Sequence, residues 1–185
     1  AHGADSNDPK PRMGNTSWLA GDQIYLLRVK PSIENMNDKS KWEFFGGHDK
    51  KGGAIWTNNF EEIKPLLEWN NNMGCVTVTY NPGLKKYLMC ITDGDDAVSK
   101  TDNYILESES LTGEWKLLTY MKDFGEQAYF VNIPSKFISD DGKKFWLLYS
   151  GNFSDGYNGV KLRTNPPGSH YGIHFQEVKI ISGRN

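Results

Sequence analysis

Residues 74–121, which begin GCVTVTYNPGLKKYLMCITDGDD, decide the fold of this chain. Four segments within them are rich in β-branched and aromatic residues and are separated by turn-forming residues, which is the pattern of short β-strands. These segments are residues 75–80, 86–92, 104–108 and 115–121. The connections 81–84 (NPGL) and 110–113 (SLTG) are short, whereas the polar connection 93–102 is longer. The spacing therefore predicts an antiparallel sheet of four strands in sequence order.

Four strands joined in this order form one blade of a β-propeller. Residues 24–29 (IYLLRV) and 42–45 (WEFF) are predicted strands before this blade, and residues 144–149 (KFWLLY) and 171–181 are predicted strands after it. We therefore predict about two and a half antiparallel four-stranded blades, the C-terminal portion of a five-bladed propeller. A complete β-sandwich of about ten strands is the alternative that the same strands allow.

The predicted organisation is a single all-β domain over residues 1–185. Its parts are a loop or arm (1–14), an outer half-blade and connection (15–69), a full blade (70–121) and a last blade that lacks one strand (122–185). An incomplete ring cannot bury both of its end faces. We therefore expect a second polypeptide to complete the propeller.

Composition excludes several classes of function. Charged residues make up 24% of the chain and the formal net charge is −2, so a basic surface for nucleic acid is not expected. No apolar run reaches the roughly 18 residues of a membrane-spanning helix, and no signal peptide is visible. Ala1 fits a processed N-terminus. Two glycosylation sequons, at Asn15 and Asn152, favour a secreted or extracellular protein.

The chain has two cysteines, Cys75 and Cys90, on the first two strands of the predicted blade. A turn centred on Pro82 and Gly83 would place them directly opposite each other. That register allows a cross-strand disulfide, although directly opposed pairs are often strained. The alternative is two buried thiols that behave as small apolar residues.

Two pieces of the chain, VTYNPGLKKYLM and NIPSKFISDDGKKFWLLYSG, resemble a known family. With IYLLRV, WEFFGG, IWTNN and WKLL in the same order, they are similar to the C-terminal half of a family of five-bladed propellers near the arabinanase-like glycoside hydrolases. The similarity covers about residues 20–181. It implies a carbohydrate-active protein, since some members of that family cleave arabinan-type polysaccharides. Catalytic carboxylates of arabinanase-like enzymes lie mostly in the N-terminal half, so the resemblance assigns no catalytic residue here.

Ligands of propellers usually bind at the face formed by the loops that enter the inner strands and the loops that join the second and third strands. Here that face would collect residues 69–73, 93–102, 123–129 and 151–171. Its most acidic loop contains Asp95 and Asp96. These carboxylates would face a sugar, with Asp95 as a catalytic group, or would bind a hard cation such as Ca²⁺. A solvated turn is the alternative.

Glu126 is the second candidate catalytic carboxylate, because it precedes a predicted inner strand near the propeller axis. A glycosidase needs two carboxyl groups about 5–10 Å apart. Further substrate contacts are predicted for Trp69, Asn71, Asp96, Tyr157, Arg163 and His170. Aromatic rings would stack on sugar faces, an arginine would bind an acidic sugar, and a histidine would contact the sugar or move a proton. A surface glutamate and a structural histidine are the alternatives.

Three functions follow from these observations. The first is part of a glycoside hydrolase that acts on a polysaccharide. The second is a glycan-binding propeller without catalysis, a lectin. The third is a structural subunit whose exposed sheet edges pair with another chain.

Overall fold

The computed structural model of the chain describes residues 2–3, 21–94, 100–126, 128–152 and 171–181. These residues form thirteen strands, with one short α-helix, α1 (Ile33–Asn37), and three 3₁₀ helices, Lys39–Lys41, Phe60–Glu62 and Ser135–Phe137. The strands are β1 (His2–Gly3), β2 (Gln23–Tyr25), β3 (Leu27–Arg28), β4 (Glu43–His48), β5 (Ala54–Thr57), β6 (Pro65–Glu68), β7 (Gly74–Asn81), β8 (Lys86–Asp93), β9 (Thr101–Ser108), β10 (Lys116–Phe124), β11 (Tyr129–Asn132), β12 (Lys144–Asn152) and β13 (Tyr171–Lys179). The prediction of an all-β fold is confirmed.

All described strand pairs are antiparallel and they form four sheets. The meander sheet has the order β10-β9-β8-β7, and the C-terminal sheet has the order β11-β12-β13. The β2 sheet has the order β1-β2-β6, and the β4 sheet has the order β3-β4-β5. The predicted four-stranded sheet is therefore confirmed as the meander sheet, whose last strand continues three residues beyond the predicted end at residue 121.

Strand β8 is the centre of the molecule because both of its faces are covered. Leu88 and Cys90 point to one side and belong to a core that includes Phe145 and Leu147 of the C-terminal sheet. Met89 and Ile91 point to the other side and join a core that includes Ile24 of the β2 sheet. The strand therefore reads as an uninterrupted apolar run, while its alternating side chains serve two separate cores.

The meander and C-terminal sheets are also joined by hydrogen bonds. The Thr77 and Thr79 hydroxyls of β7 donate to the Val131 and Ile133 carbonyls at 2.8 and 2.6 Å. At the turn end of the sheets, the buried Asn81 amide donates to the Gly142 carbonyl at 2.9 Å. The turns 82–85 and 139–142 thereby lie against each other. They belong to the two pieces of sequence that carry the family resemblance.

Residues 21–69 differ from the predicted outer half-blade. The predicted strand 24–29 is two strands, because β2 pairs with β6 whereas β3 pairs with β4 in a different sheet. Residues 46–48 continue β4 beyond the predicted strand 42–45, through a register shift at which Gly47 has a φ of +97°. Residues 54–69 contain β5 and β6. The polar stretch 31–40 contains α1, capped by the Ser32 side chain.

The cysteine register was predicted wrongly. Cys90 pairs with Thr77, two residues away from Cys75. The β7–β8 connection has four residues, 82–85, rather than two, and Lys85 has a φ of +55° in it. In addition, a register shift separates Gly74 from Thr77, so Cys75 lies in a bulge. Both cysteines are buried thiols rather than a disulfide, and burial raises the pKa of Cys75 to about 11 and that of Cys90 to about 12.

The C-terminal sheet covers the meander sheet with only one of its faces. On its other face, Phe137, Trp146 and Phe175 line an apolar hollow of about 250 Å³. Ile173 on the same side of β13 is 73% exposed and Phe175 is 53% exposed. Trp146 lies within the apolar strand β12 but is only half-buried, because it faces this hollow. Within the described residues no helix has the length and apolarity that crossing a membrane requires.

Candidate functional site

The described parts of the predicted ligand face lie at one end of the sheets. Strand pairing places Asp93 opposite Asp102 and Thr101 opposite Phe124, and it also places Asn152 opposite Tyr171. These positions are the ends of the strands from which connections 94–100, 125–128 and 153–170 leave. The interlocked turns 82–85 and 139–142 lie at the opposite end. The described ends of these strands therefore lie together at one end of the sheets.

Three aromatic side chains form a continuous series at this end. The Trp69 ring, which follows β6, meets Tyr104 of β9 edge-on with 5.0 Å between ring centroids. Tyr104 stacks on Tyr120 of β10 at 4.9 Å and an interplanar angle of 9°. Tyr104 is largely buried, whereas Trp69 is 48% exposed and Tyr120 is 45% exposed. The series therefore presents two accessible rings held by a buried one.

Two carboxylates accompany these rings on the same face of the meander sheet. Asp93 and Asp102 are direct partners across β8 and β9. The Tyr104 hydroxyl donates to Asp93 Oδ2 at 3.5 Å, and the Tyr120 hydroxyl donates to Asp102 Oδ2 at 2.5 Å. Asp102 Oδ1 also accepts the backbone N–H of Asp123 at 2.8 Å. We call Trp69, Tyr104, Tyr120, Asp93 and Asp102 the acid–aromatic cluster.

The two tyrosines of the cluster are held in their protonated, hydrogen-bond-donating form. Burial, followed by the nearby charge of Asp93, raises the pKa of Tyr104. The hydrogen bond that Tyr120 donates to Asp102 is the main cause of its raised pKa. Near neutral pH both hydroxyls therefore serve as donors to carboxylates rather than as bases.

A buried polar network fixes the strands beneath the cluster. The Thr92 hydroxyl donates to Asn103 Oδ1 at 2.8 Å, and the Asn103 amide donates to the Thr101 hydroxyl at 3.2 Å. Thr101 in turn donates to the Ala128 carbonyl at 3.3 Å. This chain of bonds joins β8, β9 and the segment that leads into β11, so the network gives the cluster a rigid base.

The turn 69–73 supplies Trp69 and Asn71, both predicted as substrate contacts. Asn71 has a φ of +64°, in the left-handed region that few residues other than glycine adopt. Its backbone N–H donates to the side chain of Asp22 at 2.7 Å. Asn71 itself is half-buried. The turn is thus held from the start of β2, a long way back in the sequence.

Glu126 lies close to this end of the sheets, two residues after Phe124 of β10, and is half-buried. In the connection that leads to Glu126, Asp123 has a φ of 50° and Gly125 has a φ of 65°. A side chain at Gly125 would meet Ala128 and the Tyr149 ring, so the connection packs tightly onto the C-terminal sheet. The Tyr149 ring also stacks on the ring of His174.

The remaining predicted site residues lie outside the described parts of the chain. They are Asp95, Asp96, Tyr157, Arg163 and His170, together with the sequon residue Asn15. Asn152 is the last residue of β12, where its backbone pairs with Tyr171. Their assigned roles stay predictions.

Metal binding finds no support in the described residues, in which no group of three histidine, cysteine or acidic side chains is arranged to hold an ion. Asp93 and Asp102 are only two carboxylates, whereas a Ca²⁺ site takes 6–8 oxygen ligands. The acidic loop that begins after Gly94 is outside the described residues. Ca²⁺ therefore stays a prediction attached to that loop.

Sequence reasoning missed Tyr104, Tyr120, Asp102 and Asp22 as site residues. The tyrosines were assigned to strands, where alternation alone does not tell a packed ring from a presented one. A signal was available for one pair, since Asp102 and Tyr104 lie two residues apart and therefore share a face of β9. Asp22 gave no signal, because its contact with Asn71 spans 49 positions of sequence.

Comparison with known proteins adds no family to this description. No protein-family model matches the chain, and no curated protein or solved structure matches it at a significant level. The site must therefore be interpreted from its own chemistry.

Proposed function

We propose that the protein is carbohydrate-active, as part of a glycoside hydrolase that acts on a polysaccharide at the acid–aromatic cluster. The single observation that supports this most is the position of Asp93 and Asp102 beside the Trp69–Tyr104–Tyr120 series, on one face of one sheet. Aromatic rings pack against the apolar faces of sugars, and carboxylates accept hydrogen bonds from sugar hydroxyls. The cluster offers both at the exposed end of the sheets.

The separation of the acids suits the same chemistry. Directly opposed residues on antiparallel strands have Cβ atoms about 4.5–5.5 Å apart. Retaining glycosidases use carboxyl groups about 5–5.5 Å apart, and inverting enzymes use about 6.5–9.5 Å. Strand pairing places Asp93 and Asp102 directly opposite each other, and Glu126 follows β10 at the same end of the sheets.

Asp102 is the least suitable of these groups as an acid or base. Both of its oxygens already accept hydrogen bonds, from the Tyr120 hydroxyl and the Asp123 backbone. We assign it an orienting role in sugar binding. The catalytic pair is then drawn from Glu126, Asp95 and Asp93.

The experiment that tests this proposal is hydrolysis of a polysaccharide panel, with linear arabinan, arabinoxylan, cellulose and polygalacturonate as substrates. We expect release of reducing sugar from at least one of them, lost in Glu126→Gln or Asp95→Asn with the fold intact. Trp69→Ala should raise KM more than it lowers kcat, since the ring binds sugar without touching the reacting bond. The matched control is Phe60→Ala, which removes an exposed ring of the 3₁₀ helix Phe60–Glu62. Unchanged rates in all three site variants would contradict the proposal.

A glycan-binding function without catalysis is the second candidate, and the occupied state of Asp102 favours it. A carboxylate that accepts a tyrosine hydroxyl and a backbone N–H is arranged as a fixed acceptor, as in a binding site. Oligosaccharide binding by titration calorimetry, with no product released on long incubation, would select this function. Loss of binding in Trp69→Ala would locate it at the cluster.

We further infer that the sheets are successive blades of a propeller that a second polypeptide completes. Support comes from the order of packing, since the meander sheet lies between the β2 sheet and the C-terminal sheet. It also comes from the C-terminal sheet, in which the described residues form three strands and leave an apolar face exposed. The mass of the native assembly tests this inference. A monomer at every concentration, with the hollow of Phe137, Trp146 and Phe175 still open to solvent, would contradict it.

A further inference from the structure

We propose that Asp22 is a positioning residue, whose buried side chain sets the turn that presents Trp69 and Asn71 to the acid–aromatic cluster. Its use in sugar binding rests on the proposed function. The positioning itself is a statement about the fold and can be tested without any sugar.

The carboxyl group of Asp22 is buried. Asp22 is only 3% exposed, at the position just before β2. Burying a carboxyl group is costly unless hydrogen bonds satisfy its oxygens. Asp22 Oδ1 accepts the Asn71 backbone N–H at 2.7 Å, the length of a charge-assisted bond. The buried Asp22 carboxylate is therefore hydrogen-bonded to the backbone N–H of Asn71, in the middle of the turn.

Backbone hydrogen bonds also join residues 21 and 22 to the turn 69–73. The Asp22 carbonyl accepts the Trp69 N–H at 2.8 Å, and the Gly21 carbonyl accepts the Met73 N–H at 2.7 Å. These two bonds hold the ends of the turn 69–73. Because backbone carbonyls accept them, they do not depend on the side chains at positions 21 and 22. Within the turn, the Asn72 N–H donates to the Trp69 carbonyl at 3.1 Å, and the Asn72 side-chain amide donates to the Asn70 carbonyl at 2.6 Å. The bond from the Asn71 N–H to Asp22 ties the middle of the turn to the segment before β2, and it is the bond that a substitution at position 22 removes.

The backbone of Asn71 is strained. A left-handed conformation strains a residue other than glycine and persists when its surroundings fix it. Asparagine tolerates this conformation better than most residues. Without the Asp22 acceptor, the turn has less to hold Asn71 at a φ of +64°. Trp69 is two residues away, and its contact with Tyr104 is an edge-on contact that a small rotation of the turn would break.

The test follows the Trp69 ring directly. The protein is labelled with 5-fluorotryptophan, and the Trp69 resonance is assigned from its loss in Trp69→Phe. We expect Asp22→Ala to shift or broaden that resonance and Asp22→Asn to preserve it, because the asparagine Oδ1 still accepts the Asn71 N–H. An unchanged Trp69 resonance in Asp22→Ala would overturn the proposal.

A matched control separates positioning from general loss of stability. Asn81→Ala removes another buried polar side chain, at the opposite end of the meander sheet, where Asn81 bonds Gly142. It should lower the melting temperature and leave the Trp69 resonance in place. A Trp69 shift of equal size in Asn81→Ala would count against a specific role for Asp22.

Two further measurements keep the proposal open to refutation. If Asp22→Ala does not fold, amide exchange in the wild-type protein decides, since the Asn71 N–H should exchange as slowly as those of Trp69 and Met73. Rapid exchange at Asn71 would overturn the proposal. In a protein that binds an oligosaccharide, Asp22→Ala should weaken affinity about tenfold, comparable to loss of one aromatic contact. Absence of sugar binding in the wild type would refute the proposed function and leave the resonance test standing.

Discussion

The meander sheet and the C-terminal sheet are both antiparallel with their strands in sequence order, yet among the described residues only the meander sheet is covered on both faces. The meander sheet has a core on each face, and its central strand β8 supplies alternating side chains to both. The C-terminal sheet shares one of those cores and leaves Phe175 and Ile173 exposed on its other face. The candidate site lies on the enclosed sheet, where a buried base can hold exposed rings in place. Enclosure on both faces is thus what lets a sheet present rigid functional side chains at its end.

The largest expected difference between the two faces is in stability. Leu147→Ala removes a fully buried side chain from the shared core and should lower the free energy of unfolding by about 2–5 kcal/mol. Phe175→Ala removes a larger side chain from the exposed face and should cost less than about 1 kcal/mol. Urea unfolding followed by tryptophan fluorescence measures both. Equal losses would mean that the outer face is already covered in the isolated protein.

The next largest effect concerns the turns that join the two sheets. Gly142 has a φ of +71°, and a Cβ there would lie 2.8 Å from Leu84 N and 2.9 Å from Leu84 Cγ. Gly142→Ala should therefore cost about 1–3 kcal/mol from backbone strain, with overpacking added. Gly52 is the matched control, because its φ is +82° and no atom lies within 4 Å of its added Cβ. A Gly52→Ala variant as destabilised as Gly142→Ala would show that strain alone matters and that the turns do not lock the sheets.

How far sequence reasoning reached also differs between regions. The meander sheet was predicted strand by strand, because each strand is a local run of β-forming residues between turn residues. Two strands of the C-terminal sheet, β12 and β13, were predicted, while the position of β11 and the exposure of one face of the sheet appear only in three dimensions. The predicted pairing of Cys75 with Cys90 was wrong because a four-residue turn and a bulge each shift the register of β7 against β8. Neither feature changes the apolar pattern of the sequence. The acid–aromatic cluster depends on pairings such as Asp93 with Asp102, which a register fixes and a strand assignment does not.

A smaller effect is expected on the exposed face itself. Phe175→Lys places a charge in the apolar hollow and should change the free energy of unfolding of the isolated chain by less than about 0.5 kcal/mol. It should nevertheless reduce the fluorescence of a bound hydrophobic dye, and it should abolish association with the second polypeptide that we propose. Phe60→Lys is the control, because it changes an exposed ring of the 3₁₀ helix Phe60–Glu62. Undiminished dye binding in Phe175→Lys would show that this hollow is not the exposed apolar surface that matters.

The smallest expected effect distinguishes the sheets by their tyrosines at alkaline pH. The pKa of Tyr120 in the meander sheet is raised mainly by its bond to Asp102, whereas burial alone raises the pKa of Tyr149 in the C-terminal sheet. A tyrosine whose folded pKa lies above its unfolded value of about 10 contributes stability below pH 10, and that contribution is lost as the pH rises through the folded pKa.

Asp102→Asn removes the charge that acts on Tyr120 and leaves the surroundings of Tyr149 unchanged. In a titration followed by phenolate absorbance, Tyr120 should then ionise closer to pH 10. Tyr104, whose pKa the Asp102 charge also raises, should shift in the same direction, while Tyr149 should ionise as before. Asp141→Asn, in the turn at the far end of the sheets, should have no such effect. If Asp102→Asn leaves the titration curve unchanged, the Tyr120–Asp102 bond does not persist in solution, and the acid–aromatic cluster loses the contact that orients its exposed ring.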